Sequence, residues 1–312
     1  MDVVYTWVDG ETPGYAELLS QYARRKLDLN PNRFRDNLDI LRYSLRSLER
    51  HAPWIHKLYL VTARPQVPRW LDPEAPGLTL LHHEEIFDPE HLPTFNSFAI
   101  VCNLYKIPGV SRRFLYMEDD RLLGRRIEPS DFFTPDERIK VYPKLGATDA
   151  GELHDSDDLS PWESALAHSN HLLDQRYGRS RRRSLHHAPL VIDTASFARF
   201  AAEWKREIEL TTSSRFRSKH NIAPEHMYPH HLLHESQAVS VPTLQVYRDS
   251  SYLGLDNLWP LTCIGLRHLR LRRPKFVCLN DNFGERPHPV SVRLTERFLE
   301  ASYPEPSRFE RR

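Results

Sequence analysis

Apolar positions along the chain follow two periods, one of two residues and one of about three and a half. Residues 3–8 are β-branched and aromatic and end at Asp9-Gly10, a strand with an acidic residue at each end. Residues 15–29 have helical spacing. Leu38, Leu41, Leu45 and Leu48 recur at i, i+3, i+7 and i+10, predicting an amphipathic helix that starts near Asp36 and stops at Pro53. Residues 57–62 and 78–82 read as further strands, and 96–107 as a helix halted by Pro108-Gly109. A fourth strand, 113–117, runs directly into Glu118-Asp119-Asp120.

Strand and helix alternate over these residues, which predicts a mainly parallel sheet with helices on its faces. Such sheets bind ligands beyond the carboxyl ends of their strands, where this reading puts Asp9 and the acidic triplet. The second half is more helical, with helices over 162–177, 196–210 and 225–234. A late strand, 275–279, leads into Asn280-Asp281-Asn282, and a helix over 292–302 closes the chain. The expected class is α/β with a more helical C-terminal half. No repeat or Gly/Ser linker divides it, so one domain is expected over 1–303, with a frayed tail over 304–312.

Composition narrows the function. The 312 residues carry 43 Lys+Arg against 42 Asp+Glu, a net charge of +1. That balance argues against binding nucleic acid by bulk electrostatics. No two of the 11 glycines are spaced i, i+2, so a G-x-G-x-x-G fingerprint is excluded. Gly146 and Gly151 have the P-loop spacing, but Glu152-Leu153 follows instead of Lys-Ser/Thr. The G-x-S-x-G and His-Glu-x-x-His motifs are absent as well. Eight of the 43 basic residues are lysine; the arginine excess is read as mostly compositional, although planar guanidinium forks suit phosphate. Three scattered cysteines without C-x-x-C spacing predict buried thiols in a reducing compartment. No apolar run approaches membrane-spanning length and no leader pattern follows Met1, so a cytoplasmic location is expected.

Glu118-Asp119-Asp120 carries the most local chemistry. Adjacent carboxylates after an apolar strand are costly unless a cation neutralises them, as a hard divalent metal on a diphosphate does. A solvated turn is the plainer alternative. Asp2 and Asp9 bracket a strand and suit ribose or base contacts, or ordinary edge chemistry. His186-His187-Ala188-Pro189 precedes an apolar run ending at Asp193, and a histidine beside phosphate can act as general base. Arg215-Phe216-Arg217 and the arginines of 179–183 are candidate phosphate contacts, against the usual reading of a solvated face. His226, His230 and His234 recur every four residues beside Glu225 and Glu235; with Pro229 interrupting, they read as a polar helix face rather than a zinc site.

Together these motifs resemble the Stealth family of hexose-1-phosphate transferases of bacterial capsule synthesis, related to the GlcNAc-1-phosphotransferase α/β subunit. The opening block is Asp2-Val-Val-Tyr-Thr-Trp-Val-Asp-Gly10. A second block includes Arg33-Phe-Arg-Asp-Asn37, His51-Ala-Pro-Trp54, Leu92-Pro-Thr-Phe-Asn-Ser97 and Phe114-Leu-Tyr-Met-Glu-Asp-Asp120. A third runs from His187-Ala-Pro189 to Ser214-Arg-Phe-Arg217, and a fourth is Lys275-Phe-Val-Cys-Leu-Asn-Asp281.

The resemblance implies a GT-A-like fold, a UDP-sugar donor (UDP-GlcNAc or a related UDP-hexose), a glycan acceptor and Mg²⁺ or Mn²⁺. The acceptor hydroxyl would attack the phosphorus next to the sugar, releasing UMP and forming a phosphodiester. It implies catalytic roles for Asp2, Asp120, His187 as base and Arg217 as stabiliser of phosphoryl charge. Asp119, Asp120 and Asp281 would hold the metal. Asp9, Arg33, Asp36, Asn37, Asn96, Ser97 and Asn280 would bind substrate. Partners at the inner membrane face in capsule assembly are a further implication; nucleic acid is not. Two departures stand out: Glu118 replaces the family's more frequent Asn, and Asn221 its more frequent Asp. An ordinary glycosyltransferase releasing UDP and a non-catalytic glycan-binding protein are the competing readings.

Overall fold

The structure is a computed structural model that describes residues 1–29, 34–36, 38–147 and 160–311. Its first half builds a sheet as the apolar periods require. Strand β1 (Asp2–Trp7) is followed by α1 (Tyr15–Tyr22), α2 (Ile40–His51), β2 (Leu58–Thr62), β3 (Leu78–His82), α3 (Ser97–Asn103) and β4 (Arg113–Glu118). The strands β3-β2-β1-β4 lie side by side and parallel. All five residues of β2 are buried, as expected for a parallel strand covered on both faces.

After β4 the chain turns into β5 (Arg121–Leu123), β6 (Ile139–Val141) and β7 (Pro143–Ala147). Helix α4 (Pro161–Tyr177), β8 (Arg183–Leu185) and β9 (Leu190–Asp193) follow, and β9 joins the large sheet antiparallel to β4. Then come α5 (Thr194–Glu203), α6 (Lys205–Ser213), α7 (Pro224–His234), β10 (Ala238–Ser240), α8 (Thr243–Asp249), β11 (Ser250–Leu255), α9 (Trp259–Arg272), β12 (Phe276–Asp281) and α10 (Pro289–Ser302). A second sheet has the order β11-β12-β5. The α/β class with a mainly parallel sheet flanked by helices therefore holds.

The small sheet has one face in the large core, through Leu123 and Phe276, and the other on a second core. Val4, Leu60, Leu115 and Phe114 belong to the core of the large sheet, whereas Leu255, Leu266, Leu279 and Leu299 pack together beside the small one. The turn Glu118-Asp119-Asp120 joins them, since β4 ends in one sheet and β5 begins in the other. The Leu279 amide donates to the Asp120 carbonyl at 3.0 Å and pins this turn to β12.

Several boundaries differ from the sequence reading. The helix expected over 15–29 ends at Tyr22, because the Asp28 carboxylate accepts from the amides of Arg24 and Arg25 at 3.2 and 3.0 Å and captures the chain in a turn. Helix α2 starts at Ile40, after Asp39 in a left-handed conformation (φ 48°). The helix expected over 196–210 is broken at Trp204, whose side chain is buried. The tail expected to fray is packed: Phe309 is 2% exposed, its carbonyl accepts from the Asp72 amide at 2.9 Å, and the Arg311 amide donates to the Trp70 carbonyl at 2.8 Å. Cys102 and Cys278 are buried as expected, but Cys263 is exposed.

Candidate active site

A cavity of about 750 Å³ lies along the carboxyl edge of the parallel strands and reaches the end of β12. Trp7 and Val8 at the end of β1, Glu118-Asp119-Asp120 at the end of β4, and Asn280 and Asp281 ending β12 all line it. Residues far apart in sequence complete the wall: His186 and His187 after β8, Arg217 after α6, Glu225 on α7, and Tyr252 on β11.

The acidic turn is electrostatically loaded. Burial first, then Asp120, Asp36 and Glu118, hold the Asp119 carboxyl well above the ordinary range. The Asp120 carboxyl is also raised, by burial and by Glu118, against Arg121 and two hydrogen-bond donors. Its Oδ2 accepts from Cys278 Sγ at 3.2 Å and from Asn280 Nδ2 at 3.4 Å. Its Oδ1 is closed off from solvent and has no partner among the described residues. Two crowded carboxylates with an orphaned oxygen fit a hard cation. Among the described residues no three His, Cys, Asp or Glu side chains are grouped as a ready ligand set. Asp281, expected as a third ligand, instead pairs with Arg35 at 3.1 Å and accepts from the Phe283 amide at 2.8 Å. The fit is thus to Asp119 and Asp120, with substrate oxygens or water completing the shell.

Glu118 behaves differently. Burial pushes its carboxyl up, but Arg121, His187 and Arg217 outweigh that and bring it below the ordinary range. Arg121 bonds Glu118 directly and donates to the Ala188 carbonyl at 2.8 Å, so one guanidinium links the acidic turn to the histidine segment. The His187 ring lies 4.9 Å from that of Tyr252. Burial, then Arg121, pushes its imidazole down to about 3, against the pull of Glu118. The ring is therefore neutral near pH 7, and a weak base while Arg121 and burial act on it without a ligand. Arg217 donates through Nε to Ser97 Oγ at 3.1 Å, again through its second nitrogen, and stacks over Phe98 at 4.5 Å. It is held in place before any ligand arrives.

Not every expected residue reaches the cavity. Asp2 sits at the amino end of β1, opposite Phe114, whereas the acidic turn follows the carboxyl end of the neighbouring strand. It is 2% exposed, accepts from the Ser111 amide at 2.7 Å and faces His56 at 3.2 Å. The parallel register places it about five residues, roughly 16 Å, from the site edge, which corrects its catalytic assignment to a structural one. Asn96 is also corrected. It is fully buried, caps α3 through Phe98, and donates to the Ser214 carbonyl at 3.0 Å and to Asn221 Oδ1 at 2.9 Å. It staples the Arg217 loop instead of meeting substrate. Asn221 is buried in the same staple and makes no cavity contact, so its departure from Asp changes that packing rather than the cavity wall.

Asp9 lies just off the wall, its backbone held by Gln66 at 3.1 and 2.7 Å. Asp36 lines the cavity; burial pushes its carboxyl up to about 6, although the Trp7 indole donates to it at 2.6 Å. Ser97 and Asn280 line the wall as well. Arg33 and Asn37 lie outside the described residues.

The histidines of α7 are not a polar face. His226 and His230 are buried, bonded to Asn170 Oδ1 at 2.8 Å and to the Arg183 carbonyl at 2.9 Å, while His234 stacks on Tyr177 at 4.4 Å. Glu225, beside them in sequence, enters the cavity wall with one oxygen buried and, among the described residues, unpartnered. Burial, then Glu118, pushes its carboxyl up to about 7. Lys144, Tyr252 and Arg35 were not picked out from sequence; Lys144 carried no motif, and stands 5.7 Å over the Tyr252 ring.

The chain matches models of three conserved regions of Stealth proteins: region 2 at residues 33–141, region 3 at 186–234 and region 4 at 267–312. An exopolysaccharide phosphotransferase of Streptomyces coelicolor is 36% identical over 319 residues, aligned with all of this chain and 52% of its own length. One from Nocardia farcinica is 32% identical, with 61% of its length covered, and CpsY of Mycobacterium tuberculosis is 33% identical, with 58% covered. The chain spans about half the length of the curated relatives it matches. Among solved structures, the galactosyltransferase LgtC is 12% identical over 97% of this chain and 95% of that one, with a TM-score of 0.45.

Proposed function

This chain belongs to the Stealth protein family, and from that premise we propose that it transfers a sugar phosphate to a glycan hydroxyl in exopolysaccharide synthesis. The donor in this reading is a UDP-sugar, UDP-GlcNAc or a related UDP-hexose, and the products are a phosphodiester and UMP. The observation that carries it is the convergence of Asp119-Asp120, His187 and Arg217 on one cavity from three stretches of chain.

Each side chain has a definable part. Asp119 and Asp120 would hold Mg²⁺ or Mn²⁺, which when bound neutralises donor phosphate charge and polarises the phosphorus. His187, neutral near pH 7, would accept the acceptor hydroxyl proton at an imidazole nitrogen; in this reading Glu118 and the donor phosphate charge offset burial and Arg121 and steady the imidazolium so formed. Arg217, fixed by Ser97, faces the charge that grows on the transferring phosphoryl group. The new bond joins acceptor oxygen to the sugar-bearing phosphorus, and the bond from that phosphorus to the bridging oxygen of UMP breaks.

Incubation with UDP-GlcNAc, Mg²⁺ and a panel of acceptor glycans tests this reading. UMP together with a new phosphodiester resonance in ³¹P NMR is the expected result. Release of UDP would establish ordinary glycosyl transfer instead. Glycan binding without turnover of any UDP-sugar would establish a binding protein.

A further inference from the structure

Helix α9 is packed on one side. Thr262, Leu266 and Leu269 point into the fold, and the helix lies so close to β11 that a Cβ on Gly265 would collide with Leu253. Its other side is open: Leu261, Ile264 and Leu271 are 58, 66 and 76% exposed. At about 100° per residue these three fall within roughly 80° of one another, forming a stripe with His268 inside it. Exposed Arg267 lies along one flank of the stripe and Arg272, which donates to the Tyr247 carbonyl, along the other, while Arg270 stands further round the helix. Leu258 and Trp259 continue the exposed apolar surface at the amino end. No acidic residue occurs anywhere from Leu258 to Lys275. The helix adds no side chain to the cavity wall.

Large apolar side chains seldom crowd an exposed face without a partner. The stripe alone would suit many partners; its flanks are selective. Arginine on both sides, with no acid to balance it, complements a surface that is anionic at its rim and apolar beneath. Phospholipid headgroups over acyl chains have that layering. We propose that α9 docks the protein on an anionic membrane surface. The helix lies in the interface plane, with Leu261, Ile264 and Leu271 among the upper acyl carbons and the flanking Arg267 and Arg272 at the level of the lipid phosphates. Its 14 residues, about 21 Å, are too short to cross the roughly 30 Å hydrocarbon layer.

Cys263 supplies a probe, because it is the exposed cysteine on this helix and the other two are buried. The full chain, labelled there with a polarity-sensitive dye, is mixed with vesicles of phosphatidylcholine alone or phosphatidylcholine with phosphatidylglycerol. Sedimentation and a blue-shifted dye are expected with the mixed vesicles. Leu261→Ser/Ile264→Ser/Leu271→Ser and Arg267→Gln/Arg272→Gln are each expected to weaken vesicle binding by about tenfold or more. The three apolar side chains are exposed, so circular dichroism melting of the Ser variant should match the parent; Arg272 is exposed but donates to the Tyr247 carbonyl, so the Gln variant is assayed below its own melting temperature. A parent chain that ignores anionic vesicles, or variants that bind them as well as the parent, would overturn the proposal. So would a blue shift without vesicles together with a dimer mass by light scattering, which would assign the stripe to a second copy of the chain.

Discussion

The Cys278 thiol donates to Asp120 Oδ2 at 3.2 Å, from the strand next to the acidic turn. Burial and Asp120 hold this thiol well above its ordinary pKa, so it stays a proton donor. One carboxylate oxygen is thereby occupied and the other left without a partner among the described residues. Cys278→Ala is expected to shift the Mg²⁺ concentration for half-maximal turnover by about tenfold while leaving turnover at saturating Mg²⁺ near normal. Metal titration of activity checks this; an unshifted midpoint would show that the thiol does not orient Asp120.

Removing charge from the acidic turn should stabilise the fold. A carboxyl with a raised pKa binds its proton more tightly folded than unfolded, so its contribution is favourable at low pH and lost as pH rises. Asp119 is raised in this way by burial and Asp120, and Asp36 to about 6. Without divalent cations, Asp119→Asn should melt above the parent at neutral pH, with the gain shrinking as pH falls. Added Mg²⁺ should raise the parent's melting temperature and leave that of the variant nearly unchanged.

Glu225 is expected to set a pH dependence of donor binding. Its carboxyl is pushed up to about 7 by burial and Glu118, against Arg217 and Arg121. Below that pH it gains a proton, one negative charge leaves the cavity wall, and an anionic donor is repelled less. KM for the donor should fall as pH drops through 7, and Glu225→Gln should give a low KM on both sides. A KM profile in the Gln variant that still bends near 7 would assign the titration elsewhere.

Asn96→Ala should act through Arg217. The amide nitrogen of Asn96 serves the Ser214 carbonyl and Asn221, and its oxygen caps α3. Losing both leaves buried groups unpaired at a cost of about 3 kcal/mol. Urea unfolding should report that loss, and kcat should fall more than KM rises if the loosened loop misplaces Arg217.

Glu310 ties the tail to α2. Burial pushes its carboxyl up, but Arg46, the Ser307 amide and Arg42 outweigh that and hold it at about 2. The depressed pKa makes this contact favourable above the ordinary carboxylate range and lost as pH falls toward 2. Arg46 donates to both carboxylate oxygens at 2.7 Å. Glu310→Gln is expected to cost about 3 kcal/mol near neutral pH, read as a lower melting temperature whose deficit closes on acidification.

The alternation of strand and helix through β4 was legible because side-chain burial in a parallel sheet imposes a local pattern on each strand. Position at a strand's carboxyl end was legible for Glu118-Asp119-Asp120 for the same reason. The resemblance of separated blocks supplied His187 and Arg217. Three things lay outside any local pattern. Asp2 and Asp120 both flank apolar strands, and only parallel pairing of β1 with β4 puts one at each edge of the sheet. Asn96 and Ser97 are neighbours, yet α3 turns one into a buried staple and the other toward Arg217. Glu225 looked like part of a histidine face until α7 was buried and its first turn met the cavity. Chain periodicity records which side of an element is buried. It does not record what stands opposite, and the electrostatics of a site depend on that opposition: Glu118 with Arg121, Asp281 with Arg35, and Asp120 with Cys278.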